Sequence, residues 1–387
     1  MTITRLAALG REEPRLLTLA QRLLSVAESG LPSMLLPGKE AFAFTMAGHR
    51  SPDGSWALER RGTSTRYAAI TALGARFLPA DRQRAVLGGR GAQEFTGLLI
   101  ESLPAVTNLG DAALIAWAAA DTGHPKLSDA LDRMNALDEE GRPQYTVEAA
   151  WVLSALAAAR GTADVEGRLT AARDRLLRAR IGGSPLFPHA TGPGLVPWYR
   201  AHVSCFADQT YPLQALARAH ATGDGGGDPR ALAAAEACAA RICELQGDGG
   251  QWWWHYDART GGVVEGYPVY SVHQHAMAPT ALFDLADAGG TDFAASVRKG
   301  LAWMTAVPEL AGHPEPLILD ELGVTWRKVF RGDPKKAVRA ARGLGTRVVP
   351  HLRLKPLDRV YRPVSVDREC RPYEFGWMLH AWQGGRV

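Results

Sequence analysis

The chain has 387 residues, of which 46% are hydrophobic and 22% charged, with a formal net charge of +4. That balance excludes a chain disordered throughout, and no run approaches the roughly 20 apolar residues of a membrane-spanning helix. Charge is uneven: residues 323–371 hold 14 Lys or Arg against 4 Asp or Glu, leaving the rest net acidic by six. So small an overall excess is no signature of nucleic-acid binding. Cys205, Cys238, Cys243 and Cys370 form no C-x-x-C pair and no disulfide framework. The first nine residues lack the sustained apolar core of a signal peptide. Both features predict a cytoplasmic protein.

In chain order, Leu16, Leu19, Ala20, Leu23 and Leu24 fall at helical spacing and predict an amphipathic helix ending before Ser29-Gly30. A two-part unit then recurs, in which a Gly/Pro loop leads into a helix rich in Ala and Leu. Six such helices are predicted, at about 65–77, 111–120, 146–159, 208–221, 273–286 and 375–382. More polar helices are predicted between them, at about 128–137, 165–179, 229–245, 293–306 and 334–344. Asp111 and Asp208 are candidate N-caps, and Asp228-Pro229 places Pro at a first helical position. The interval between apolar helices varies from roughly 35 to 100 residues, which excludes a fixed-period tetratricopeptide array. Strand signals are scarce. The prediction is an all-α, single-domain (α/α)6 toroid of about twelve helices over residues 1–387, with 1–13 and 383–387 loose.

Leu245-Gln246-Gly247-Asp248-Gly249-Gly250-Gln251-Trp252 fits Q-x3-G-x-W, and Ser51-Pro52-Asp53-Gly54-Ser55-Trp56 is a partial version without the Gln. These resemble the QW repeats of terpenoid-cyclase and prenyltransferase toroids. There Gly permits the sharp turn between outer and inner helix and Trp packs across it. The chemistry of those families is not implied, because the D-x-D-D and D-D-x-x-D clusters and the prenyltransferase zinc ligands have no match. A looser resemblance, carried by Val196-Pro197-Trp198-Tyr199, Gly250 to Trp254 and Tyr267 to Ser271, is to glucuronyl C5-epimerase toroids and, more broadly, six-hairpin glycosidases.

In such a toroid the N-termini of the inner helices converge on a central funnel, and helix N-termini favour anions. His273 and His275 in Tyr270-Ser271-Val272-His273-Gln274-His275, with Asp208, Tyr270, Glu374 and Glu148, are therefore the candidate acids and bases. Asn108 and Asp111 lie at an equivalent entrance. Arg371 is the candidate clamp for an anionic group. Tyr373, Tyr145, Gln209, His202, Trp198, Trp253 and Trp254 are the candidate substrate-binding residues, since sugars stack on aromatic faces and hydrogen-bond through their hydroxyls. A metal at His273-x-His275 is not expected, because on a helix the two rings diverge by about 200°; no cofactor is expected either. Lys335, Arg339 and Arg342 fall on one helical face, so segment 323–371 is a candidate dock for an anionic membrane surface or an acidic protein; nucleic acid is not expected. The reading is an enzyme, a hydrolase, lyase or epimerase, on a glycan or uronate-containing polysaccharide. Its alternatives are a terpenoid-cyclase-like enzyme on a polyprenyl substrate and a non-catalytic scaffold.

Overall fold

The segment Thr146–Ala159 is apolar all round, and eleven of its fourteen residues are buried. A helix without a polar face must be enclosed by other helices. In the computed structural model, which describes residues 4–36, 38, 41–139, 141–223, 227–352 and 354–385, five further helices share this position. In order, the inner helices are Thr65–Ala75, Leu109–Asp121, Thr146–Ala159, Ala207–Ala221, the π-turn His273–Met277 continuing into Ala278–Asp287, and Pro372–Gln383. Each packs on the next, and the sixth packs on the first, so the circle closes as an (α/α)6 toroid. The closing seam is backbone against backbone. A Cβ on Gly376 would lie 2.6 Å from the Ile70 carbonyl oxygen, and one on Gly74 would meet the Gly376 carbonyl.

Outer helices Pro14–Met34, Leu127–Leu137, Glu166–Ala179, Pro229–Glu244 and Ala294–Ala306 stand where the sequence predicts them. The sixth does not. Ala92–Glu101, which the apolar pattern failed to single out, packs between the first two inner helices. Its N-terminus is closed by the Gly91 amide donating to Glu94 Oε2 at 2.7 Å. The helix expected at 334–344, Lys335–Val348, is not an outer helix: it lies against Trp198–Arg200 and the strand Gly262–Glu265. The N-terminal segment expected to be loose contains the helix Arg5–Glu12. Its buried Arg5 donates to the Ala381 carbonyl at 2.9 Å and pairs with Asp284 at 3.1 Å. Residues 1–3, 386 and 387 lie outside the described residues.

Short strands decorate the all-α frame, all within loops that enter inner helices. Thr45–Arg50 pairs antiparallel with Trp56–Arg61 and with Glu369–Cys370, with Met46 opposite Cys370. Ser51–Trp56 is therefore the turn of a β-hairpin, with Gly54 at φ +84°, and not a QW turn between helices; an Asp-Gly pair is a standard hairpin signal. The second motif does act as expected. Gln246 Nε2 donates to the carbonyls of Gly250 and Ser296, both at 3.0 Å. Gly250 has φ +95°, and Trp252 is fully buried beyond it. Further three-stranded sheets join Val203–Cys205, His255–Asp257 and Gly262–Glu265, and Val269–Tyr270, Lys328–Arg331 and Pro363–Asp367. They make the rim of the funnel mouth.

At the opposite end, where inner helices finish, cations meet the negative helix ends. Arg76 pairs with Asp121 at 2.9 Å, Arg218 with Asp121 at 3.3 Å and with Asp284 at 3.8 Å, and His380 with Asp284 at 3.8 Å. Burial opposes ionisation of Asp284, yet His380, Arg5 and Arg218 hold its carboxyl below the usual range. Between this network and the mouth, Trp117, Trp151, Tyr211 and Trp377 fill the axis, with Trp377 Nε1 donating to the Tyr211 hydroxyl at 2.9 Å. The toroid is a cup with an aromatic floor.

Candidate functional site

A belt of polar contacts runs around the mouth from one inner-helix N-terminus to the next. Arg66 Nε meets Asp111 Oδ1 at 2.7 Å, and Arg66 Nη2 donates to Asn108 Oδ1 at 2.8 Å. Asn108 Nδ2 donates to Glu148 Oε1 at 2.9 Å, which joins two carboxylates on adjacent helices through one amide and one guanidinium. The same Asn108 oxygen accepts from the Asp111 amide at 3.0 Å, so Asn108, and not Asp111, is the N-cap. Asn108 and Tyr145 are exposed, and Arg66, Asp111 and Glu148 are half-buried. This part of the belt reaches solvent.

Tyr145 leads to His189, their ring centroids 5.3 Å apart. His189 Nδ1 lies 2.8 Å from Oδ2 of the fully buried Asp208, whose carboxylate raises the imidazole pKa against the opposing effect of burial. Asp208 Oδ2 also accepts from the Cys205 amide at 2.7 Å. Asp208 therefore fixes a loop and a histidine and is not itself open to a substrate. Among the described residues, His189, Cys205 and Asp208 have one donor atom each within 4.8 Å of one another.

The remaining side of the belt is cationic. Tyr270 sits under Arg327 and Lys328, at 4.9 and 5.4 Å from ring centroid to cation. Arg327 lies 3.9 Å from Glu374, and Lys328 pairs with Asp367. Arg371 Nη1 donates to the Tyr67 hydroxyl at 3.1 Å and Nη2 to Glu369 Oε2 at 2.9 Å. Tyr373 stacks on Tyr67 at 4.7 Å, which returns the belt to Arg66. Glu374 is fully buried, and burial pushes its carboxyl up to about 8 despite Arg327 and Arg371. It backs the arginines from below the surface.

Several expected site residues take other places. His275 is fully buried with neither ring nitrogen hydrogen-bonded, and burial pushes its pKa down to about 3. His273, against Phe206 at 4.5 Å and Tyr270 at 4.9 Å, is likewise pushed to about 3 by burial. Neither is placed to exchange a proton near neutral pH. Gln209 is a structural clamp: its Oε1 accepts from the Phe187 amide at 2.9 Å, and its Nε2 donates to Ser204 Oγ at 2.9 Å. His202 is buried against Thr346 Oγ1 at 2.9 Å and near Asp257 at 4.0 Å. Trp253 donates from Nε1 to the Leu245 carbonyl at 2.7 Å and packs within its turn. Trp254 has one face on His255, at 3.8 Å, and Arg339 over its ring at 4.0 Å, so the three tryptophans make no open platform. Trp198 is 68% exposed. It lines a surface groove of about 580 Å³ that also includes Pro188, Ala190 and Thr191 beside His189.

Part of the basic segment is buried, while Arg347, Arg359, Arg362 and Arg368 are exposed. Lys328, Arg331 and Arg342 are buried; Arg342 pairs with Glu265 at 3.2 Å, and Arg331 lies 4.2 Å over Tyr267. Arg66, Tyr67, His189 and Arg327 are the residues that sequence reasoning missed. None sits in a motif, and their common signal is position, just before or within the first turn of an inner helix or on a loop folded over one.

No protein-family model and no curated protein matches the sequence. Solved structures do. An unsaturated glucuronyl hydrolase described as specific for heparin aligns at 13% identity over 94% of this chain and 95% of its own, with a TM-score of 0.55. Proteins from Salmonella enterica serovar Paratyphi A and Klebsiella pneumoniae, each described as a possible GH105 family member, align at 10% identity over 94% and 95% of this chain and 92% of their own, with TM-scores of 0.56 and 0.55. At these identities the likeness is one of fold, and it extends over 94–95% of this chain.

Proposed function

We propose that this protein is a glycan hydrolase acting on a uronate-bearing sugar chain. The observation that carries the reading is the pair Asp111 and Glu148. They stand at adjacent inner-helix N-termini, both reach solvent at the mouth, and both are oriented by the Arg66–Asn108 bridge. Glycoside hydrolysis needs two carboxyl groups flanking the scissile bond, one to protonate the leaving oxygen and one to act as base or nucleophile. Asp111, ion-paired with Arg66, and Glu148, held by the Asn108 amide, supply the two carboxyl groups. Tyr67 and Tyr145 offer ring faces for sugar stacking. Arg371 and Arg327 supply the positive side of the cup for a uronate carboxylate, and the Trp198 groove admits a longer chain. The similar toroids described as glucuronyl hydrolases support this substrate class.

The polyprenyl alternative receives no comparable support. The axis that would hold an apolar chain is filled by Trp117, Trp151, Tyr211 and Trp377.

The test is hydrolysis of saturated and unsaturated glucuronyl oligosaccharides, followed by product release. Positioned general acid–base groups contribute about 10²–10⁴-fold in rate. Glu148→Gln and Asp111→Asn are expected to lower kcat at least a hundredfold with melting temperatures preserved. Unchanged turnover in both variants refutes the assignment.

A further inference from the structure

We propose that His189, Cys205 and Asp208 form a binding site for a divalent cation of the zinc class, with one coordination position open to the funnel mouth. The three side chains come from two segments, the Phe187–Thr191 loop and the strand-to-helix turn at 205–208, and present an imidazole nitrogen, a thiol sulfur and a carboxylate oxygen within 4.8 Å of one another. Nitrogen, sulfur and oxygen donors at three positions with a fourth left open are the pattern of non-structural zinc sites. Zinc–ligand bonds of about 2.0–2.3 Å place tetrahedral donors about 3.4–3.6 Å apart. The cluster therefore closes on an ion through side-chain movements of about 1 Å.

A second observation points to a ligand. Asp208 is completely buried, and its Oδ1 has no hydrogen-bond partner in the protein. Its other oxygen is already used by the Cys205 amide at 2.7 Å and by His189 at 2.8 Å. A buried carboxylate oxygen left without a donor is costly, and a cation between it, the thiol and the imidazole removes that cost. The frame is rigid: Gln209 Nε2 holds the Phe187 and Cys205 carbonyls at 3.0 and 3.4 Å and so ties together both segments that carry ligands. The side chain of His189 is 37% exposed while that of Asp208 is 0%, so the open position faces the mouth. The site is separate from the Asp111–Glu148 pair and stands whether or not that pair cleaves a glycan.

The probe is the metal alone. Metal-free protein is titrated with Co²⁺, with thiolate-to-cobalt charge-transfer absorption as readout, and zinc content is measured by mass spectrometry after growth in zinc-supplemented medium. One cobalt per chain is expected, with the thiolate band present. Cys205→Ser should abolish the band, and His189→Gln, at a half-exposed position that leaves the Gln209 clamp intact, should weaken zinc affinity at least tenfold. Circular dichroism confirms that each variant is folded, and His189→Gln alone decides if Cys205→Ser does not fold. Wild type that takes up no cobalt, that shows no thiolate band, or whose binding survives His189→Gln unchanged overturns the proposal.

Discussion

His275 and Glu374 show two opposite pH responses at the scale of single residues. Burial pushes His275 from 6.5 down to about 3, so the unfolded chain binds a proton that the folded one refuses. Stability is therefore lost as pH falls from about 6.5 towards 3, at up to about 1.4 kcal/mol per pH unit for each such histidine. His275→Leu should remove only its own share of that slope in urea titrations at pH 4–6, because His273, His255 and His202, also depressed by burial, remain. Glu374 works in the opposite direction. Its folded pKa, raised by burial from 4.5 to about 8, lies above its unfolded value, so its contribution is intact below pH 4.5 and is lost as pH rises through 8. Glu374→Gln should remove the decline between pH 5 and 8, read as chemical-denaturation midpoints across that range; a slope unchanged by the substitution would show that the carboxyl is not the titrating group. A motif rich in histidine drew attention to His273 and His275 in the sequence, but residue type does not reveal which side of a helix is sealed. Glu148 was legible because it is a carboxylate in the first turn of an inner helix. His189 was not, because the loop contact that seats it against Asp208 spans 19 residues and leaves no pattern.

The inner helices were legible because apolarity on every face is itself a period-free signal of enclosure. The short helix Ala92–Glu101 was not, since ten residues after a Gly-rich loop carry too little periodicity. Lys335–Val348 was legible as a helix and misplaced in the fold, because an amphipathic pattern specifies a buried face without naming what buries it. The loop strands escaped notice for a related reason: they are two to six residues long and pair across up to 324 positions. The closing seam between the first and sixth inner helices makes the sharpest prediction at this scale. Gly74 and Gly376 allow the two backbones to touch, and a methyl group at either meets a carbonyl of the partner helix. Gly376→Ala is expected to destabilise by about 1–3 kcal/mol or more, as overpacking does, measured as a shift in urea midpoint, whereas Gly167→Ala, where an added Cβ has open space, should be within about 1 kcal/mol of wild type. Equal effects at the two sites would contradict the backbone-contact account.

Across the molecule the two ends of the toroid divide the work. The far end is a stability device, with Arg5 tying the opening helix to Asp284, Asp287 and the Ala381 carbonyl. Breaking one partner of a buried pair costs about 3–5 kcal/mol, so Arg5→Ala should lower the melting temperature markedly without altering the mouth. The near end is the one the proposed function uses: two solvent-reaching carboxylates, the cations Arg371 and Arg327, and an aromatic floor beneath them. Arg371→Met should raise KM for uronate-bearing oligosaccharides about tenfold or more, given about 1.5–3 kcal/mol for a charge-assisted hydrogen bond, and leave neutral analogues nearly unaffected. The toroid was legible in the sequence because twelve helices alternating between apolar and amphipathic admit few closed arrangements. The belt was not, because its members come from every inner helix and meet only when the circle closes. The most direct test of the central claim is turnover of glucuronyl oligosaccharides by wild type and Glu148→Gln under identical conditions. The account predicts cleavage by wild type and at least a hundredfold loss in a folded variant. Equal rates in the two proteins, or no cleavage of any uronate-bearing chain by wild type, would contradict it.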